Sequence, residues 1–450
     1  MNLQTFKDRL FAFGSEHGFA DMELAYVREE KFACSLFETE IDSYNTSETY
    51  GIAFRGLFKG KMGSAFTEKM DEDSVTYLIQ EAKENAEVIE SDEPEEIFPG
   101  SQFYKQPDFF SEKLAQVSIV DKIALLKSTE PFVFEADKRV TAIETFVIQS
   151  SEVERGLLNS KGLSLNERKN DFLIALSVVV KENNQIKNGF IVKSTQDFSD
   201  LVPEQLARAA VEDGISQLDA KSLKSGDYPV VIRHDAAALL LTAYSSIFSA
   251  ENVQKGQSLL KDKEGKSIAS PLVSIIDDPF EKQGLACRSF DDEGVATSYR
   301  EIVSSGTLKT LLYNLQTAKK ADRQSTGHGY KSSYNSSPEI APTNFFIIPS
   351  EGEGNLVAKV EEGILITGLS GLHSGANTIS GDFSLAASGL FIEGGVVKHA
   401  IKQMTIAGNF FELLKKIEAV GSDLEFCFIQ MGGNCGSPSL LIKELAVTIE

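Results

Sequence analysis

The 450-residue sequence has no tryptophan, four cysteines and five histidines. Cys34, Cys287, Cys427 and Cys435 are scattered, with no Cys-x-x-Cys pair. That spacing excludes a dense disulfide framework and a thiolate zinc knuckle, both of which need closely spaced sulfurs. Cys34, Cys287 and Cys427 therefore read as buried free thiols. Basic residues are also scarce: 44 Lys and Arg stand against 66 Asp and Glu, a formal charge of −22. Affinity for a nucleic-acid backbone comes mainly from Lys and Arg displacing counterions, so nucleic acid is a poor candidate partner. Long apolar runs are missing too. The longest small-and-apolar run, Ala236 to Leu241, is about a third of the ~20 residues that span a bilayer. The stretch Met1 to Leu10 alternates apolar and charged residues and reads as an amphipathic helix, not a signal peptide. The expectation is a cytoplasmic protein with no membrane partner.

What is present suffices for a folded chain. With 42% hydrophobic and 24% charged residues, whole-chain disorder is excluded. At ~150 residues per domain, the length suggests about three domains or two large ones. Residues 1–100 read as a first α+β unit. A helical opening leads to strand alternation from Lys31 to Tyr44, a glycine-punctuated hairpin over Tyr50–Gly63, and a helix beginning near Asp71-Glu72-Asp73. The acidic run Glu90–Glu96 reads as a solvated linker. Residues 113–220 repeat that order. A helix over Val120–Glu130 precedes strands at Ala142–Ile148, Phe172–Val180 and Lys187–Val192, with a turn at Asn183-Asn184 and a helix from Pro203. Lys61-Met62-Gly63 and Lys187-Asn188-Gly189 occupy the same slot in the two units, which points to a duplication. Residues 228–450 open with strand Val230–Ile232 and a helix through Ala236–Leu241, then turn rich in glycine, serine and short β runs. The fold class expected is α+β: duplicated small α+β units followed by a larger, mostly β C-terminal domain.

The histidines can be weighed one by one. His17 lies at a helix end, where a cation complements the dipole, and His399 reads as a surface strand position. His234 sits where a strand becomes a helix. A metallopeptidase helix of the His-Glu-x-x-His or His-Glu-x-x-x-His kind places two imidazoles on one face, with the glutamate activating water. Here Asp235 stands at the second position, and Ala238 and Leu239 occupy both places for a second histidine. His328 is flanked by glycines that allow close backbone approach. His373 opens a run dense in Gly, Ser, Asn and Asp, ending at Asp382 and Ser384, which reads either as a loop offering backbone N–H groups to a peptide or as a long structural turn. Cys435, amid glycines, is a nucleophile only if His328 or His373 comes near.

The run Gly371-Leu372-His373-Ser374-Gly375-Ala376-Asn377-Thr378-Ile379-Ser380-Gly381-Asp382-Phe383-Ser384 resembles the signature region of the PmbA/TldD family. Phe391-Ile392-Glu393-Gly394-Gly395, Thr405-Ile406-Ala407-Gly408-Asn409, Phe290-Asp291-Asp292-Glu293-Gly294-Val295 and Ser325-Thr326-Gly327-His328 extend the resemblance over the whole chain. The family, once described as modulators of DNA gyrase, is associated with proteolysis of small or unfolded polypeptides in the bacterial cytoplasm. Its working form pairs a zinc-bearing TldD subunit with a PmbA (TldE) subunit that lacks the metal motif. The resemblance places His-Glu-x-x-x-His on the helix starting at His234. With Asp235 and Leu239 there, the chain resembles the PmbA/TldE branch. It implies no confident catalytic residue here and no metal in this chain, His234 being the residual candidate, with zinc in a catalytic partner. It also implies a heterodimer with a TldD-type subunit, or a homodimer. Candidate peptide-groove residues are His328, His373, Ser380, Gly381, Asp382 and Ser384. Two alternatives stay open: a self-sufficient metallopeptidase using His234 with His328, His373 or Cys435, and a gyrase-modulating binding protein.

Overall fold

A computed structural model describes residues 1–90, 96–352, 354–427 and 433–449. The acidic linker expected over Glu90–Glu96 falls mostly on residues 91–95, outside the described residues. The first unit comprises α1 (Leu3–Glu16), β1 (Phe19–Phe37), β2 (Glu40–Phe58), β3 (Lys61–Thr67) and α2 (Glu72–Val88). Asp71 caps α2 by accepting the Ser74 N–H at 2.9 Å. Leu78, Ile79, Ala82 and Ala86 then recur on one face and are buried. His17 caps α1, its Nδ1 2.8 Å from the Phe13 carbonyl oxygen.

The second unit continues with α3 (Glu112–Ala115), α4 (Ile119–Ala136), β4 (Val140–Asn159), β5 (Ser164–Glu182), β6 (Gln185–Thr195) and α5 (Pro203–Ser216). Its β5–β6 turn is at Asn183-Asn184, both with positive φ (47° and 64°), as a two-residue hairpin whose twist matches its strands requires. The same geometry at Glu38-Thr39 breaks the strand expected over Lys31–Tyr44 into β1 and β2. Neither residue type announces such a turn.

The duplication is visible in packing. A Cβ on Gly63 of β3 would come within 1.8 Å of the Ala82 carbonyl oxygen on α2, and one on Gly189 of β6 within 2.0 Å of the Ala210 oxygen on α5. In each unit a glycine lets the helix backbone lie directly on the outer strand. The units share one antiparallel sheet in the order β3-β2-β1-β4-β5-β6. The central pairing of β1 with β4 runs from Glu23↔Asn159 to Ser35↔Val147.

The C-terminal domain is strand-rich. β7 (Gly226–Ile232) lies between strands Glu362–Ser370 and Leu440–Ile449 in a seven-stranded sheet. Pairing of Glu362–Ser370 with Asp382–Glu393 closes part of that sheet on itself. A second sheet carries Ile275–Asp277, Asn344–Ile347 and Asn434–Ser437. Helix α6 (His234–Tyr244) buries Ala236, Ala237, Leu240, Leu241 and Tyr244 in a core shared with both sheets. Each large apolar side chain there contributes about 1.5–3 kcal/mol.

Arg155 of β4 joins the N-terminal sheet to this domain. Its guanidinium lies 2.5 Å from Glu167 Oε1, pairs with Asp292, donates to the Phe290 carbonyl and stacks 4.5 Å from the Phe290 ring centre. Tyr104 adds a second tie, donating to the Gly294 carbonyl at 2.6 Å.

Candidate functional site

The chain leaves β7 at Ile232 and enters α6 through Arg233, whose extended backbone (ψ 148°) makes it the residue before the first turn. Arg233 grips Asp235 with two bonds, Nε to Oδ1 at 2.7 Å and Nη2 to Oδ2 at 2.6 Å. It also donates to the Thr367 carbonyl at 2.8 Å and lies 3.5 Å from Asp213 on α5. Asp235 Oδ1 further accepts the Ala236 N–H. The carboxylate at the water-activating place of a metallopeptidase motif is thus held in a bidentate ion pair and a helix-start bond.

His234 donates its backbone N–H to Ser439 Oγ at 3.1 Å, and Ser439 is in turn bound to Asp423. Its Nδ1 lies 2.9 Å from Glu425 Oε2, an ion pair when the ring is protonated. Burial disfavours the imidazolium, but the Glu425 carboxylate, helped by Asp235 and Asp423, outweighs it and raises the His234 pKa. The acids around His234 favour its protonated ring, which works against metal ligation, because ligation needs the neutral imidazole. Leu239 supplies no donor. Among the described residues no group of three or more His, Cys, Asp or Glu is placed to hold a metal ion. The residues present do not fit a catalytic zinc.

The proposed recruits lie elsewhere. His328 is 2% exposed, with Nδ1 2.8 Å from Thr326 Oγ1 and Nε2 3.0 Å from Asp277 Oδ2. Thr343 donates its N–H to the same aspartate at 2.7 Å, so this is a closed internal network and His328 does not face a groove. Cys435 is buried beside Thr242 and Cys427, and burial pushes its thiol far above the usual range. Thr242 is eight residues beyond His234 on α6, about 12 Å along the axis. Among the described residues no histidine is hydrogen-bonded to the Cys435 thiol.

The glycine-rich run does stand at the surface, next to α6. The buried Tyr244 at the end of α6 donates to the Asp382 and Gly381 carbonyls at 2.8 and 3.2 Å. Asn409 Nδ2 donates to the Ser380 carbonyl and to Asp382 Oδ1, both at 2.9 Å. Gly381 adopts φ 83°, and a Cβ there would meet the Phe411 ring at 2.6 Å. Bonds from Asn409 and Ser380 hold the Asp382 carboxyl below its ordinary range.

The loop's backbone donors, expected to face a peptide, are mostly turned inward. The N–H groups of Ser374 and Gly375 go to Gly371, those of Ile379 and Ser380 to Asn377 Oδ1, and that of Gly381 to the Asn377 carbonyl. What the loop offers outward are side chains: His373, Asp382 and Ser384 are exposed, the last two on one face of the strand Asp382–Glu393. The structure therefore gathers Ser380, Gly381 and Asp382 around Asn409 and Tyr244, sets Ser384 two residues along the same strand and His373 on the preceding turn, and buries His328 apart from them. Glu425, Arg233, Tyr244 and Asn409 complete the site. Asn409 ends one of the runs that carry the resemblance, whereas nothing in the sequence marks Glu425, Arg233 or Tyr244, because their partners are remote along the chain.

The matches to known families decide the affiliation. Residues 225–449 match the model described as the PmbA/TldA metallopeptidase C-terminal domain, 112–218 the central domain and 22–86 domain 1. The chain belongs to the PmbA/TldD family. A putative modulator of a DNA gyrase from Thermotoga maritima is similar at 30% identity and TM-score 0.91, over 99% of this chain and 100% of that one. A PmbA/TldD relative in Haemophilus influenzae, named a metalloprotease PmbA homolog, is 24% identical over 95% of this chain and 92% of its own length. TldE from Thermococcus kodakarensis shares the fold, with TM-score 0.90 at 24% identity over 98% of this chain and 100% of its own. No described helix is long and apolar enough to cross a membrane.

Proposed function

We propose that this PmbA/TldD-family chain is the non-catalytic, PmbA/TldE-like subunit of a cytoplasmic metalloprotease complex acting on small or unfolded polypeptides. The observation that carries the reading is the start of α6. Asp235 is locked by Arg233, His234 is engaged by Glu425, and Leu239 replaces the second imidazole. Such a chain contributes by completing a groove against a zinc-bearing TldD-type subunit, excluding bulky folded proteins and holding an extended chain near the partner's centre. The exposed His373, Asp382 and Ser384 are its groove-facing side chains. A homodimer is the arrangement for the isolated chain.

Two other readings draw on the names of relatives: a metallopeptidase in its own right, from the Haemophilus protein, and a gyrase-modulating binding protein, from the Thermotoga one. Elemental analysis of zinc per chain, in protein purified without chelator, tests the first. The expected value is near zero, and a value near one overturns the proposal. Mixing with a zinc-bearing sister should then yield cleavage of an unfolded peptide, lowered by the double substitution His373→Ala and Asp382→Ala. Direct binding to gyrase at physiological salt, with no such cleavage, would favour the binding protein.

A further inference from the structure

Two of the four cysteines stand opposite each other. Strand Glu425–Phe426 pairs antiparallel with strand Asn434–Ser437, Glu425 facing Ser437 and Phe426 facing Gly436. The same register sets Cys427 against Cys435, and the Cys427 N–H donates to the Cys435 carbonyl at 2.9 Å. Directly opposed residues of an antiparallel pair point their side chains to one face. Here that face meets α6. Thr242 Oγ1 lies 3.1 Å from the Cys427 sulfur, and the Cys435 thiol bonds the same hydroxyl. Cys34 and Cys287 have no such counterpart: Cys34 faces Tyr44 and Ile148 on the neighbouring strands, and the Cys287 thiol donates to the Glu281 and Gly284 carbonyls.

A hydrogen-bonded cross-strand pair holds its Cα atoms about 5.5 Å apart, within the span that a disulfide bridges. Its Cβ atoms stand about 5 Å apart, wider than the ~3.8 Å of a relaxed disulfide. A bond formed there is strained, and strained disulfides are the ones that cellular thiols can reduce. The two thiols differ in access: Cys427 is half-buried, whereas Cys435 is buried and also bonds Ser245. Burial raises both thiol pKa values, and the neighbouring Cys427 and Asp277 raise that of Cys435 further. The pair therefore rests as two protonated thiols and reacts slowly.

We propose that Cys427 and Cys435 are the site of a reversible oxidative cross-link, in which Cys427 meets a hydroperoxide and Cys435 resolves the product. The Cys427 sulfur attacks one oxygen of hydrogen peroxide and the O–O bond breaks. Cys427 becomes a sulfenic acid, and the thiol proton leaves with the other oxygen as water. The Cys435 sulfur then attacks the Cys427 sulfur, the S–O bond breaks, and the second thiol proton leaves with that hydroxyl as water. Two thiols and one peroxide give one disulfide and two waters. The bond staples the strand that carries Glu425, the partner of His234, to the strand behind α6. This chemistry rests on the pair itself and is independent of the function proposed above.

The assay treats the folded full chain with hydrogen peroxide, alkylates the remaining thiols and maps the peptides by mass spectrometry. Of the four thiols, two should be lost. The segments holding Cys427 and Cys435 should be joined and lighter by two hydrogen atoms, with Cys34 and Cys287 still alkylated. Reduced glutathione should reopen the bond. Amide exchange at Glu425 and Phe426 should slow several-fold in the cross-linked form. Two variants separate the roles. Cys435→Ala should leave a Cys427 sulfenic acid that dimedone traps, and Cys427→Ser should leave Cys435 reduced. Four surviving thiols, a bond to Cys34 or Cys287 instead, or a Cys435 that oxidises equally fast without Cys427 would overturn the proposal. So would a cross-link that glutathione cannot open, by removing its reversibility. Unchanged exchange at Glu425 and Phe426 in the cross-linked protein would sink the staple.

Discussion

Replacing Arg155 by methionine should uncouple the N-terminal sheet from the C-terminal domain. The side chain is 18% exposed, and its partners Glu167 and Asp292 are 9% and 21% exposed, so solvent screens the pairs only modestly. Removing the guanidinium strands two carboxylates and the Phe290 carbonyl, and loses the stack on the Phe290 ring. Breaking a buried pair on one side costs about 3–5 kcal/mol. At about 2–4 °C per kcal/mol for units of this size, melting should fall on the order of 10 °C. Calorimetry is the assay, because a chain of several units need not melt in one step; the variant's endotherm should split. Adding Glu167→Gln and Asp292→Asn should recover much of the loss, since the stranded charges go with them. The effect also has a pH signature. Burial works against the Asp292 carboxylate, yet Arg155 and Arg288 hold its pKa below the ordinary range. Its contribution is therefore present above the ordinary aspartate pKa and lost as pH falls through the depressed one. Arg155→Met melting within about 2 °C of the parent, as one endotherm, would refute the idea that this arginine joins the two bodies.

Four further substitutions have definite outcomes. Glu425 raises the His234 pKa, so their pairing stabilises the fold below the ordinary histidine value and fades as pH rises through the raised one; Glu425→Gln should lower the melting temperature at mildly acidic pH and converge with the parent in alkali. Gly63→Ala and Gly189→Ala drive a methyl into a helix carbonyl at 1.8 and 2.0 Å, so each should cost about 1–3 kcal/mol by urea unfolding, and a neutral result would contradict the shared close approach. Tyr244→Phe removes the donor to the Asp382 and Gly381 carbonyls; a loss of about 1–2 kcal/mol and faster amide exchange over residues 377–382 are expected, and unchanged exchange would show that α6 does not hold the loop.

Much of this was legible along the chain, and the failures share a cause. The apolar spacing of Leu78, Ile79, Ala82 and Ala86 and the Asp71 cap place α2 without any tertiary information, because helix faces and end-caps are local properties. The Asn183-Asn184 turn is equally local. Glu38-Thr39 is not: only the pairing of β1 with β2 makes those residues adopt positive φ. His328 looked available because its flanking glycines mark close approach, but glycine does not say what approaches. Here it is the aspartate of a remote strand, Asp277.

The sequence alone determined the acidic balance, the scarcity of histidine and cysteine, the two similar α+β units and the loss of a second imidazole at Leu239. Those follow from composition and short-range periodicity, which act within a few residues. Only the tertiary structure decided that β1 and β4 fuse the units into one sheet. It also decided that Glu425 engages His234, that the glycine-rich loop spends its amides on itself, and that Cys427 and Cys435 meet at one hydroxyl of α6. Each of these is a choice of which groups leave water together. That choice depends on the closing of long loops and the burial of charge, and no local pattern carries it.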